Sequence, residues 1–333
     1  MSGDTSVLEH YLKPLRASLD LPGVTELVVN RPCEFALERD GVWSWHEASE
    51  LTEAWLKPLA VAAAAVTSQD VTADLPICST VLPTGERCQI VLPPAAEHLS
   101  LTLRKASEPR LDLDDFARAG LFEAVTAATD DLKPDEIALL ALRDAGDWKS
   151  FFQAAVGYRR NILISGATGS GKTTFAKGLV RLIPETERLL TIEDARELVV
   201  PHRNAVHLLY AKDGQGLAQV GAKQLLESAL RMRPDRILLQ ELRDGTAFFY
   251  LRNVNSGHPG SITTIHADSA ALAFEQLTLL VKESEGGRDL ARDDIRALLH
   301  LLVDVVVQMR RIDGKFRITE VWYEPERKRV LAA

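Results

Sequence analysis

Cysteine is scarce in this chain. Cys33, Cys78 and Cys88 are the only three among 333 residues, and they lie far apart with no C-x-x-C pair. Neither a disulfide framework nor a zinc site is therefore written here, and reduced thiols in a cytoplasm are the expectation. Long apolar runs are missing as well. The stretch 59–66 is typical, and it falls far short of the roughly 20 residues that a membrane span needs. The opening Met1-Ser2-Gly3-Asp4 carries no basic segment followed by an apolar one, so neither an export signal nor a membrane span is expected. Glycine and proline are modest, at 20 and 15 residues. With 46% hydrophobic and 26% charged residues, that excludes a disordered, collagen-like or low-complexity chain. Positive charge is also in deficit, because 39 Lys and Arg against 47 Asp and Glu leave a net charge of −8. A protein whose main task is to coat nucleic acid through a basic surface is disfavoured.

What is present is the texture of a globular chain of two or three domains. In residues 1–105, Leu8, Leu12, Leu15 and Leu19 share one helical face. Strand-like segments follow at 26–30 and 34–38, and Asp40-Gly41 signals a hairpin. An alanine-rich helix over 53–68 precedes short strands near 80–82, 87–92 and 99–104, which together predict a small α+β domain with an antiparallel sheet. Residues 106–158 read as a helical, charged linker broken at Pro109 and Pro134. From 159 to 333 the pattern becomes α/β. Short apolar strands at 161–165, 189–192, 237–240 and 261–265 are each expected to lead into a loop and a helix, as in a parallel sheet. A strand over 303–309, a turn at Asp313-Gly314 and a strand over 315–322 close the domain.

The strongest chemical signal is Gly166-Ala167-Thr168-Gly169-Ser170-Gly171-Lys172-Thr173, followed by Thr174. It matches G-x-x-x-x-G-K-[ST] between an apolar strand and a helix. Small residues let backbone N–H groups wrap phosphates, and the helix N-terminus adds the positive end of its dipole. Lys172 offers a point charge to the β- and γ-phosphates, and Thr173 a hydroxyl to Mg²⁺. Three further segments narrow the chemistry. The strand before Glu241 ends in a carboxylate placed to act as general base for water. Thr191-Ile192-Glu193-Asp194-Ala195-Arg196-Glu197 sets acids past another strand, where Glu193, then Glu197, can meet the water shell of a magnesium ion. Gly257-His258-Pro259-Gly260 and Ser261-Ile262-Thr263-Thr264-Ile265-His266-Ala267-Asp268 put two histidines on either side of a strand, with His266 placed to read a γ-phosphate. No guanine-reading Asn/Thr-Lys-x-Asp segment is present, so ATP is favoured as the nucleotide.

These four segments, in this order, resemble the secretion hexameric ATPase family, and most closely the traffic ATPases of bacterial type IV secretion. The resemblance spans essentially the whole chain. It implies a RecA-like P-loop ATPase domain behind a smaller α+β N-terminal domain that helps close the nucleotide site. It also implies a homohexameric ring that hydrolyses ATP with Mg²⁺ at the cytoplasmic face of the inner membrane, beside channel components, moving protein or DNA cargo or building a pilus. In relatives an arginine at the end of the N-terminal domain reaches the phosphates, so Arg104 and Arg110 are candidate clamps. Arg231, Arg233 and Arg243 are alternatives that act across a subunit boundary. The paired zinc cysteines of many type II secretion ATPases are absent. A type II secretion or pilus ATPase, and a nucleotide-gated docking scaffold, stay open as alternatives. Gln240 departs from the small residue usual before the catalytic acid.

Overall fold

The structure is a computed structural model, and it describes residues 5–106, 112–127, 129–211, 216–243, 246–255 and 257–332. In α1 (Ser6–Leu19) the four leucines of the apolar stripe are all buried. They meet α2 (Glu53–Ala65), whose first turn is capped by Thr52 accepting from the Trp55 amide. Both helices cover a six-stranded sheet of order β3-β2-β1-β6-β5-β4, antiparallel throughout. Its strands are β1 (Val24–Val29), β2 (Glu34–Arg39), β3 (Val42–Glu47), β4 (Ile77–Val81), β5 (Arg87–Val91) and β6 (Ser100–Arg104). Asp40 and Gly41, both at positive φ, form the two-residue β2–β3 turn that matches the twist of a hairpin. The helical, charged segment contains α3 (Leu113–Arg118), α4 (Pro134–Asp144) and α5 (Trp148–Gly157). Phe151, Phe152, Ala155 and Val156 of α5 join the same core as Ile162, Ile164, Val305 and Val307, which ties this helix to the sheet that follows.

That sheet is built from β7 (Ile162–Gly166), β8 (Leu189–Glu193), β9 (Ala205–Leu209), β10 (Arg236–Leu239), β11 (Ile262–Ile265), β12 (Val305–Ile312) and β13 (Lys315–Trp322). Two parallel groups, β10-β8-β9 and β11-β7-β12 with β13 added antiparallel, meet at a bridge between Glu241 and Thr264. Helices α6 (Lys172–Val180), α7 (Ala222–Ala229), α8 (Thr246–Asn255), α9 (Ala270–Glu283), α10 (Arg292–Leu302) and α11 (Pro325–Ala332) connect or follow the strands. Fully buried strand residues such as Leu163, Leu190, Ile237 and Val306 explain the unbroken apolar runs of a sheet covered on both faces.

One expected connection differs. β8 leads to a second strand, β9, and not to a helix. The Glu193 carboxylate accepts the amides of Glu197 (2.8 Å) and Leu198 (2.7 Å), the backbone donors from which a helix would start, and Pro201 supplies none.

The N-terminal domain docks on this sheet at the strand beginnings and along the β9 edge. Arg188, Asn204 and Arg233 stand just before β8, β9 and β10. Arg188 is fully buried and donates to Asn30 (2.7 Å), while Asn30 donates to Asn204 (3.0 Å). Arg233 pairs with Glu38. Along the β9 edge, the Glu97 amide donates to the His207 carbonyl (3.0 Å) and the Leu209 amide to that of Ala95 (2.9 Å). Because β7, β8, β9 and β10 run parallel, these strand beginnings lie opposite the carboxyl ends where functional groups of such a sheet collect.

Candidate nucleotide-binding and hydrolytic site

The carboxyl end of β7 runs directly into the glycine-rich loop and then α6. Two glycines are required by shape. Gly166 has φ +155°, and a Cβ there would lie 2.5 Å from the Met309 carbonyl oxygen and 2.6 Å from Ser170 Oγ. Gly171 caps α6 at φ +93°, with the Phe316 ring only 2.8 Å from where a Cβ would sit. Ala167, Thr168 and Gly169 are exposed, Thr173 is half-buried and Thr174 exposed, so the loop presents its backbone outward. Ser170 is 3% exposed and its Oγ has no partner. An orphaned buried hydroxyl beside a helix N-terminus fits a phosphate oxygen as its missing acceptor. Lys172 is also buried, with Nζ donating to the carbonyls of Gly166 (2.7 Å) and Ala167 (3.1 Å). Burial pulls its ammonium below the usual lysine range, against the opposing pull of Glu241.

From this lysine a chain of polar contacts crosses the neighbouring strands. Nζ lies 3.4 Å from Nδ1 of His266, and Nε2 of His266 lies 2.8 Å from Oε1 of Glu241. Strand order explains the meeting: β11 lies between β7 and β10, so residues just past each strand converge. The backbone around them is locked. The Leu242 amide donates to the Thr264 carbonyl (2.8 Å), and Thr264 Oγ1 to that of Gln240 (3.0 Å). Ser165 and Gln308 both donate to the Ala267 carbonyl, at 3.2 and 3.1 Å. Arg243 pairs with Asp194 and approaches Oε2 of Glu241 to 3.9 Å.

Other residues singled out by the sequence lie elsewhere. Glu193 is 1% exposed, and besides the two amides it accepts from Thr191 Oγ1 at 2.8 Å, so both its oxygens are engaged within its own strand and loop. His258, at the far end of β11, is held below the ordinary imidazole range by burial and lies in the field of Asp235 and Arg233. Arg233 itself is committed to Glu38 and Asp235, and Arg231 lines a groove with Asp74, Leu75 and Glu227. Arg104 stands 3.3 Å from Glu26 in the charged cluster at the domain interface, outside the phosphate-loop cleft of its own chain. Arg110 lies outside the described residues. The N-terminal domain, implied by resemblance to close over the site, docks in this chain at the beginnings of β8 to β10 and along the β9 edge as far as Leu209 and Arg196, on strands away from its own phosphate loop.

The cleft also contains groups that sequence reasoning missed. A space of about 340 Å³ is lined by the tip of the glycine loop together with Asp268, Gln308, Met309, Arg310 and Arg311. Arg310 donates to the Asp268 carbonyl at 2.8 Å. For Gln308 to Arg311 the available signal was position: they lie from the middle of β12 onward, in a strand parallel to β7, and carboxyl ends of such strands carry function; Asp268 follows β11 in the segment already read from the sequence.

Residues 36–314 match the family described as Type II/IV secretion system protein. Among similar proteins, the type IV secretion system protein VirB11 of Bartonella quintana is 51% identical over 331 residues, covering 96% of this chain and 93% of its own. The protein of that name from Brucella suis biovar 1 is 47% identical, with 97% and 91% covered. The crystal structure of the VirB11 ATPase from the Brucella suis type IV secretion system, in complex with sulphate, superposes with a TM-score of 0.91 at 46% identity. It covers 97% of this chain and 99% of that one.

Proposed function

Since the chain belongs to the Type II/IV secretion system protein family and is a type IV secretion ATPase, we propose that its phosphate-loop cleft binds Mg-ATP and that Glu241 is the base for hydrolysis. The observation that carries this reading is the contact chain Lys172–His266–Glu241 at 3.4 and 2.8 Å. It joins a phosphate-binding ammonium to a carboxylate through one imidazole.

The loop amides, Ser170 Oγ and Lys172 take the β- and γ-phosphates. Thr173 is the residue that would hold the magnesium ion, which when bound offsets charge on the phosphates. Glu241 accepts a proton from the attacking water as the new O–P bond forms and the bond from the γ-phosphorus to the bridging oxygen breaks, releasing ADP. His266 orients Glu241 and meets the γ-phosphate, so its hydrogen bonds differ between triphosphate and diphosphate. Glu193, with both oxygens engaged, serves this site by ordering the segment 193–198; any part in holding magnesium is through water.

The chain works as a homohexamer in this reading. Its own N-terminal domain docks away from its own loop, so Arg104 or Arg110 reaches phosphate from a neighbouring copy, while Arg243, expected from the sequence to act across a subunit boundary, lies beside Glu241 of its own chain and acts in cis. Nucleotide state would then be felt at the subunit boundary. Among the described residues no helix is long and apolar enough to cross a membrane. Attachment at the cytoplasmic face of the inner membrane is accordingly through channel proteins, with protein or DNA as cargo.

Steady-state ATP turnover of wild type and Glu241→Gln, with light-scattering mass in the presence and absence of Mg-ATP, tests the reading. Turnover lost in the variant and a mass near six subunits are expected. Normal turnover in Glu241→Gln would remove the base assignment, and a nucleotide-binding wild type without turnover would favour a docking scaffold.

A further inference from the structure

Behind the hydrolytic residues lies a second set of buried polar groups that the reaction itself does not use. Thr191 is fully buried, and its Oγ1 lies 2.8 Å from Oε1 of Glu193 and 2.9 Å from Nδ1 of His207 on the next strand. A hydroxyl has one proton to give, and an ionised carboxylate can only accept. Thr191 therefore donates to Glu193 and accepts from His207, which sets the neutral Nδ1–H tautomer of that imidazole. Burial, then the nearby Arg196, pushes His207 down to about 4, which agrees with a neutral ring.

At one end, Glu193 holds the amides of residues 197 and 198, while the adjacent Asp194 holds Arg243, whose other guanidinium nitrogen lies 3.9 Å from Glu241. At the other end, the strand carrying His207 is the one the N-terminal domain pairs with, through the Glu97 amide and the bridge between Ala96 and Leu208. Arg196 spans the two, donating to the Leu198 carbonyl and pairing with Glu97 at 3.2 Å.

We infer that Thr191 and His207 are positioning residues for the hydrolytic carboxylate: through Glu193 and the Asp194–Arg243 pair they set where Glu241 points, and they do so from the strand on which the N-terminal domain is seated. The inference rests on Glu241 being the base. It assigns Thr191 no contact with nucleotide, so its removal acts on turnover and not on affinity.

The test is Thr191→Val, which keeps the shape and removes the hydroxyl. Loss of one hydrogen bond to a charged group is expected to lower kcat about tenfold, with affinity for a non-hydrolysable ATP analogue within about twofold of wild type. Thr191→Ser restores turnover. Combined with Asp194→Asn, the second change costs less than it does alone, because the two act on one network. Should Thr191→Val fail to fold, His207→Gln, which can still donate to Thr191, is expected to keep turnover where His207→Leu loses it. Wild-type kcat in Thr191→Val or His207→Leu, failure of the serine variant to restore, or independent effects in the double variant each overturn the inference. An inactive wild type, or normal turnover in Glu241→Gln, instead overturns the reading on which it rests.

Discussion

Glu241 and His266 face each other from the ends of adjacent strands, with the carboxylate Oε1 2.8 Å from the imidazole Nε2. The same ring turns its other nitrogen to Lys172, so the acid proposed to act on water and the cation proposed to bind phosphate are held by one side chain. Glu241→Gln is expected to keep ATP affinity and to lower kcat by about 10²-fold or more. His266→Ala removes one charge-assisted contact of about 1.5–3 kcal/mol, roughly 10–100-fold in kcat, with a smaller change in KM. Steady-state kinetics on the two variants checks both, and a His266→Ala loss carried entirely in KM would contradict the positioning role.

Gly171 has no room for a methyl group. At φ +93°, with the Phe316 ring 2.8 Å from the Cβ position, Gly171→Ala combines backbone strain of about 1–3 kcal/mol with a clash against β13. Nucleotide affinity, measured by ADP titration, is expected to fall. Adding Phe316→Ala relieves only the clash and recovers only part of the loss, because the left-handed backbone penalty remains.

How much of this was legible in the sequence follows from how local each feature is. The glycine loop, its strand and its helix form one contiguous segment, and a strand end followed by an acid or a histidine is visible without knowing the sheet order. Lys172, Glu241 and His266 could therefore be singled out as groups that the fold brings together, and the antiparallel sheet with its Asp40-Gly41 turn and the parallel sheet behind it were readable. β9 was missed because the segment before it looks like the acidic first turn of a helix; only the fold shows the Glu193 side chain taking the amides of that turn. Arg310 and Arg311 were missed because nothing in a strand's own sequence says which strand it lies beside. Docking of the N-terminal domain was beyond reach for the same reason, since Asn30 and Arg188 meet across 158 positions of chain.

That docking depends on a buried cation. Arg188 is fully buried, donates to Asn30 at 2.7 Å, to Asn204 at 2.5 Å and to the Met232 carbonyl at 2.8 Å, and is pulled down to about 9 by burial. Arg188→Ala leaves Asn30 Oδ1 and the Met232 carbonyl without this donor, while Asn204 keeps the Asn30 amide, and at about 1–3 kcal/mol per unsatisfied buried acceptor it is expected to cost about 2–5 kcal/mol. Arg203, half exposed and paired with Glu34 at 2.7 Å, is the contrast: Arg203→Ala is expected to cost no more than about 1 kcal/mol. Urea unfolding of the two variants measures the difference, and equal losses would deny Arg188 its role in joining the domains.

The same interface makes stability depend on pH. Glu26 is 2% exposed, with Oε2 unpartnered and Oε1 3.3 Å from Arg104. Burial raises its carboxyl to about 7; Arg104, Arg233 and Arg188 pull it down, and Glu38 pushes it further up. The folded value lies above the ordinary carboxyl value of 4.5, so between those two pH values the folded chain binds more protons than the unfolded one. Stability from this group is complete below 4.5 and is lost as pH rises through 7, by about 3 kcal/mol at most. Glu26→Gln carries no charge to bury. Its unfolding midpoint is expected to match wild type near pH 4.5 and to exceed it near pH 8, measured by thermal unfolding across that range. Parallel curves for the two proteins would show that Arg104 and its neighbours keep Glu26 ionised in the folded chain, and the advantage of the glutamine would vanish with them.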